Sequence, residues 1–447
     1  MRRGCASLTL AVLVVPGRGI WSDVSTPAPP HILSDTPSFL RLRPNLYELF
    51  SNDMDLPAGG NASVACDCGG RGRCIADACS CDAGYSGSRC QHVGPAWTAA
   101  PQPGLAPKSR AHGSLTAAAD GRLYLFGGAT FLDGKAHRMN DLHYYTPATR
   151  RWTTPYAVGH WPDHRSGHTG TIVSDLLVIF GGVDGEGEYT ATLDVYALSE
   201  QRWSRPAVGR SPAPRARHAA VALGGEGSVG SVWVFGGGSV THARSGGGAM
   251  RGGATMALLN DVHILDVGAT PPRWHTPRVV GDPPCPRAGH TATLLSDGAS
   301  VLVFGGQAAG QAAGAEGSFL NDVWVYSASG AWQEVATRGH APAGRAMHSA
   351  VRVGGWVAIL GGTGCQSFEG TLTVHVLELG RWQWAKLSPR GSAPPLAFGM
   401  GVVAIQTETR SALLLQGGVS SMTAAGLKNE ASVRGQVRPA APRSARL

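Results

Sequence analysis

Two sets of side chains in this sequence could do chemistry: nine cysteines and sixteen histidines. Six of the cysteines, Cys66, Cys68, Cys74, Cys79, Cys81 and Cys90, fall within twenty-five residues that hold almost no other apolar side chains. Crowded thiols offer either a metal site or disulfides. Structural zinc wants four ligands at C-x2-C-like spacing, whereas here the pairs read C-x-C and the thiols number six, so the expectation is a disulfide framework and no metal. A segment with so little to bury needs such staples, and they persist only in an oxidising compartment. The residues alone leave the connectivity open.

The histidines His112, His168, His218, His290 and His348 recur at repeat spacing, with Arg165, Arg287 and Arg345 three residues before three of them. A catalytic centre is asymmetric, so a recurring residue is expected to do the same packing or turn task each time. A ring of metal-binding histidines is the alternative chemistry. No Ser-His-acid set or phosphate-type glycine loop falls in a strand-turn-helix context, so neither an enzyme nor a cofactor is expected.

The elements that must position these residues begin with the first nineteen. Arg2 and Arg3, the apolar run Leu8 to Val15, and Gly17 or Gly19 have the layout of a secretory signal over residues 1–19. Eight apolar residues fall well short of the roughly twenty that span a bilayer, and no membrane span is expected elsewhere. The net charge of +8 comes mostly from Arg2, Arg3 and Arg18 at one end and Arg434, Arg438, Arg443 and Arg446 at the other, leaving +1 for everything between. So neutral a body gives no reason to expect a nucleic-acid partner. Residues 20–64 read as a Pro-rich linker with Asn61-Ala-Ser63 as a glycosylation sequon, and residues 431–447 as a basic, unstructured tail.

From Trp97 onward the chain repeats. Double glycines begin at positions 127, 181, 236, 305, 361 and 417, spaced by 54, 55, 69, 56 and 56 residues. Short β-branched or aromatic runs separated by turn signals such as Asp120-Gly121 and Asp297-Gly298 read as hairpin-linked strands. Four such strands per unit make an all-β array in which each unit covers its neighbour. The double glycine, the Asn321-Asp322 pair leading a third strand and the tryptophans Trp97, Trp152, Trp203, Trp274, Trp332 and Trp382 resemble the Kelch family. That resemblance implies a six-bladed β-propeller over residues 95–430. Trp97 precedes the first double glycine, so its strand is expected to close the ring against residues from Ala397 onward. In the last blade Leu396 and Gly399 stand where Arg and His are expected, and residues Leu427 to Val433 are its only candidate third strand.

The run Cys79-Ser-Cys81-Asp-Ala-Gly84-Tyr85-Ser-Gly87-Ser-Arg-Cys90 resembles the ending of EGF-like modules. The resemblance implies an EGF-like domain over residues 65–91 preceding the propeller, with Cys66 paired to Cys74, Cys68 to Cys79 and Cys81 to Cys90. No acidic cluster precedes Cys66, so calcium is not expected. EGF followed by Kelch blades is similar to attractin-type and multiple-EGF ectodomains. This implies a secreted or lumenal interaction protein with a protein or glycan ligand, or an extracellular fragment or isoform of a membrane receptor. A galactose-oxidase-like copper enzyme is the remaining, disfavoured alternative.

Strand parity places the loops between second and third strands, and the links between blades, on one side. Long loops on a rigid scaffold commonly carry binding, which makes His160, Trp161, Arg244, Arg251, Arg338 and His340 the binding-face candidates. Cys285 and Cys365 fall on the same side and are expected to form a possible bridge between adjacent blades.

Overall fold

The computed structural model describes residues 106–419 except 133–134, 225–229, 243–253, 310–317, 365–371, 390–392, 395 and 407–410, together with strand 46–51 and short stretches between residues 68 and 100. The described residues contain strands and turns and no helix. The turn signals do what their chemistry suggests. At Asp297-Gly298 the carboxylate accepts the backbone N–H groups of Ala299 and Ser300, while Gly298 takes φ of +69°.

Five blades are each built from one contiguous stretch, as four-stranded antiparallel meanders. Their second strands, Leu123–Leu132, Leu176–Phe180, Ser231–His242, Val301–Ala308 and Trp356–Leu360, are the buried centres. A further four-stranded sheet is assembled from both ends of the chain. Its order is Gly401–Gln406, Ser411–Gln416, Leu46–Ser51 and Ala96–Ala100, all antiparallel. The expected six-bladed propeller with an irregular last blade is therefore corrected to five blades, with this composite sheet filling the remaining sector.

Apolar clusters lie between successive sheets and run right round the ring. One joins blades one and two through Phe126, Ile179 and Trp203, and others continue through blades three, four and five. The last two pack the composite sheet against blade five through Trp97, Leu413 and Val374, and against blade one through Leu414, Val403 and Tyr145. Each sheet thus buries both faces, which no single blade achieves alone.

Three sequence expectations change here. The third strand of the composite sheet is Leu46–Ser51, in register with Leu413 at Leu49 and with Trp97 at the same residue; residues 427–433 lie outside the described residues. A central strand must satisfy hydrogen bonds on both edges, and LYELFS supplies the leucine and aromatic side chains that favour strands, of which residues 427–433 (LKNEASV) have few. The cysteine-rich stretch, expected to precede the propeller, instead lies in the connection between the third and fourth strands of this sheet. In blade five the buried tryptophan opposite Leu377 is Trp384, not Trp382, which sits in the turn at φ +53°.

Within the cysteine-rich stretch Cys68 is bonded to Cys79, and Cys90 is also disulfide-bonded. Cys74 and Cys79 are opposite one another in the hairpin Gly72–Ile75 and Ala78–Cys81. The sulfurs of Cys68, Cys79 and Cys90 approach within 4.8 Å of one another, but as disulfides they offer no thiolate to a metal. Cys66 and Asn61, the signal-like residues 1–19 and the tail from 431 lie outside the described residues.

Candidate functional site

The loop end of each blade is organised by a buried arginine. Arg110, Arg165, Arg215, Arg287 and Arg345 each donate Nε to the carbonyl two residues earlier and Nη1 to the carbonyl of the first glycine of the double-glycine pair, at 2.8 to 3.3 Å. A guanidinium out of water needs a counter-charge. In blades one, three and four the aspartate of the Asn-Asp pair supplies it: Asp141, Asp261 and Asp322 lie 2.6 to 2.8 Å from Arg110, Arg215 and Arg287. Burial works to raise the carboxyl pKa of Asp141, yet hydrogen bonds from His143 and Arg110 overcome it and hold the group well below the usual carboxylate range. Asp261 is held down in the same way by Arg215 and His263. The neighbouring asparagines tie down the links between blades, with Asn140, Asn260 and Asn321 donating to the carbonyls of Pro162, Pro284 and Pro342.

The double glycines are the seats of the histidines. A Cβ on Gly127 would lie 2.9 Å from His168 Cε1, and one on Gly182 would lie 3.0 Å from His168 Cβ. His218, His290 and His348 are wedged in the same manner. Each ring also meets the preceding blade's phenylalanine or its equivalent edge-on, at centroid distances of 5.2 to 5.4 Å. The Nε2 atoms of His168, His218 and His348 share hydrogen bonds with Ser114, Thr169 and Thr291 of the preceding blade, at 2.8 to 3.1 Å. His290 has no such partner, because Ala219 stands where those hydroxyls stand. In the composite sheet Met400 takes the histidine's place and Ala397 the arginine's, as the approaches of both to Gly361 show. The sequence register that put Leu396 and Gly399 there is off by one residue.

His112 does not belong to this series. It occupies a left-handed position, φ +58°, shared with Gly167, Arg217, Gly289, Met347 and Gly399. The N–H of each of these residues donates to the carbonyl of the one in the preceding sector, from His112 round to Gly399, at 2.7 to 2.9 Å, so that six peptide groups form a closed circle. Large and absent side chains alternate around it. His112, Arg217 and Met347, together with the four wedged histidines and Met400, line a cavity of about 170 Å³ at the centre of the ring. The side-chain packing is tight, for a Cβ on Gly399 would come within 2.6 Å of the His112 ring.

This cavity is electropositive and asymmetric. Burial lowers the Arg217 pKa from its ordinary value, with Tyr189 opposing, and no ion pair answers the guanidinium among the described residues. Nearby, Arg138 is depressed by burial too, against the opposing pull of Asp184 and Tyr189, and its Nε has no hydrogen-bond partner among the described residues. His112 is pushed down to about 3 by burial and by Arg217, so the imidazole is neutral. Sequence reasoning missed Arg217 because the position varies, with glycine in three of the other sectors and histidine or methionine in two, and so carries no repeat signal; its place immediately before His218 was the available clue.

The structure does not gather the face candidates at this cavity. His160 and Trp161, and Arg338 and His340, are exposed in links that add a short parallel strand outside the fourth strand of the following blade. Gly159 and Gly339 make that pairing possible, since a Cβ there would fall 2.1 and 2.4 Å from the Trp203 and Trp384 carbonyl oxygens. These links cover sheet edges. Trp161 also donates its indole N–H to Asn140. Arg244, Arg251 and Cys365 lie outside the described residues. Cys285 is a free, exposed thiol, which corrects the expected bridge; its sulfur faces Arg287 Nη2 at 3.4 Å.

Residues 90–268 and 241–424 match the KLHDC2/KLHL20/DRC7 Kelch-repeats domain, a span covering most of the chain. The protein is thus a β-propeller of Kelch repeats, and belongs to the Kelch-repeat family. Among curated proteins it is similar to the host cell factor of Drosophila melanogaster, 26% identical over 62% of this chain and 19% of the relative. It is also similar to serine/threonine-protein phosphatase BSL2 of Arabidopsis thaliana, 31% identical over 59% and 26%, and to host cell factor 1 of Homo sapiens, 27% identical over 58% and 12%. The chain therefore spans about a quarter or less of the length of these relatives.

Two outcomes test this organisation. Ala219→Ser supplies the hydroxyl that His290 lacks, and is expected to raise the unfolding free energy by about 1 kcal/mol, the net worth of one buried hydrogen bond. Urea denaturation in His290 and His290→Met backgrounds checks it, since the gain should vanish when the imidazole is absent. The second concerns pH. Burial first, then nearby arginines, push His168, His290 and His348 from 6.5 down to about 3. The unfolded chain therefore takes up protons that the folded one refuses, so stability falls as pH drops from 6.5 towards 3. Each histidine contributes at most about 1.4 kcal/mol per pH unit. His290→Met, copying Met400, should remove one proton from the uptake measured by the shift of the denaturation midpoint.

Proposed function

We propose that this is an exported interaction protein whose propeller holds a protein partner at the mouth of the central cavity, through an acidic group of that partner. The observation that carries the reading is Arg217. A half-buried guanidinium in a left-handed backbone position, without a counter-ion among the described residues, is held at a cost in both charge and conformation. A carboxylate arriving from a partner offsets the charge and forms the strong, charge-assisted kind of hydrogen bond. The wedged histidines fix the wall of the cavity. A glycan, lacking a formal charge in its common units, gains less from such a site. The similarity to host cell factors and to a phosphatase of far greater length agrees with a propeller that serves as a recognition unit.

The substitution that separates binding from folding is Arg217→Gly, because three other sectors already use glycine at that position. Acidic peptides selected on the wild-type protein from a displayed library should bind this variant about tenfold or more weakly, with melting unchanged or raised. Equal binding by both proteins would remove the mouth as the site.

Export rests on the arginine-led apolar start, the sequon at Asn61 and the disulfides at Cys68, Cys79 and Cys90. Expressed in a secretory cell line, the chain should reach the medium and lose mass on glycosidase treatment, a loss abolished by Asn61→Gln. Retention in the cytosol with reduced thiols would overturn export while leaving the peptide-binding result to stand on its own.

A further inference from the structure

Blade five departs from the other four at the arginine clamp, and the departure has a definite chemistry. In blades one to four the Nη2 of the clamp arginine meets a carboxylate oxygen: Arg110 with Asp141, Arg165 with Asp194, Arg215 with Asp261 and Arg287 with Asp322, at 2.7 to 2.8 Å. Arg345 makes the two carbonyl bonds of the clamp, to Ala343 and Gly361, and its Nη2 has no partner among the described residues. The side chain is nonetheless more than nine-tenths buried.

The register explains how this came about. Val374 opposes Leu360 as Val323 opposes Phe304, so Thr373 stands where blades one, three and four have aspartate. Blade two also has threonine at that place, Thr192, and compensates with Asp194 two positions further along the strand. The residue of blade five in the position of Asp194 is His375, also nine-tenths buried, whose Nδ1 has no hydrogen-bond partner.

The match to blade two extends to the next strand. Arg205, two residues beyond Trp203, donates Nε to Asp194 at 2.7 Å, so that two cations share one buried carboxylate. Two residues beyond Trp384 stands Lys386, directly opposite His375 in the ladder. Blade five thus repeats both cations of that arrangement and replaces the anion between them with an imidazole. Three basic groups converge where every other blade places an acid.

We propose that this site on blade five receives an aspartate or glutamate side chain of a partner protein, bound by Arg345 Nη2 with His375 and Lys386 beside it. The position lies at the loop end: the equivalent carboxylates of Asp141, Asp261 and Asp322 have side chains 37%, 39% and 22% exposed, that of Asp194 is fully buried, and Lys386 beside the site is exposed. The site is separate from the cavity mouth around Arg217, and its test leaves that residue in place.

The probe is an N-acetylated tetra-aspartate amide, compared with its tetra-asparagine counterpart, titrated into the full-length protein and followed by the ring resonances of His375. The aspartate peptide should bind at least about tenfold more tightly, and should weaken as salt is added. His375→Asp restores the blade-two pattern and Thr373→Asp the pattern of the other three, so each should raise the melting temperature and weaken tetra-aspartate binding by about tenfold or more. Equal response to the two peptides, no response at about 10 mM peptide, or undiminished binding by both folded variants would overturn the proposal. So would Glu369→Gln if it lowered the melting temperature and tightened peptide binding, because the chain would then be supplying its own acid.

Discussion

At the axis of the ring, the N–H groups of His112, Gly167, Arg217, Gly289, Met347 and Gly399 each donate to a carbonyl of the neighbouring sector. Hydrogen bonds of this kind are modest singly, but a circle has no end at which a polar group is left over. The geometry demands a left-handed residue in every sector, which is easy for glycine and strained for histidine, arginine and methionine. The rest of the repeat can be understood as holding that peptide at a fixed distance from the axis. The clamp arginine ties the residues just before it to the first glycine of the blade, and the histidine three residues after the arginine fills the space between two glycine pairs.

This constraint explains which parts of the architecture were legible in the sequence. Double glycines, clamp arginines and Asn-Asp pairs are dictated by close backbone approaches that admit few alternatives, so they recur visibly. Trp97 was readable as a ring-closing residue because it precedes the first double glycine, and in the structure it is buried with Leu413 and Leu415. The strand Leu46–Ser51 was not readable, because it has no repeat context of its own and pairs with residues more than three hundred positions away. Trp382 and Trp384 lie two residues apart, so alternation alone would put both on one side; in the structure Trp382 falls in the turn and Trp384 pairs with Leu377.

The candidate sites were less legible for a related reason. Repetition advertises the shared task and hides the exception. His112 looks like one of a series of histidines but belongs to the axial circle, one residue out of step with His168 and its counterparts. Arg217 and Arg345 are each an ordinary arginine in a basic chain, and become notable only when the five complete sectors are laid over one another and the expected counter-charge is missing. Blades that must pack alike thereby leave polar substitutions at the axis and at the loop end as the places where one sector can differ from the next without disturbing the apolar clusters between them.

Because the composite sheet draws Leu46–Ser51 from before the repeats and Ser411–Gln416 from after them, it cannot assemble until nearly the whole propeller has left the ribosome. The early strand can pair with Ala96–Ala100 soon after it is made, but its other hydrogen-bonding edge must wait through the synthesis of five blades. Blade one spends the same interval with an apolar flank uncovered. Such long-range pairing is slow and prone to wrong partners. A growing chain of this protein is therefore most vulnerable to mispairing with other nascent chains, or to capture by folding helpers, in the final moments before the circle shuts.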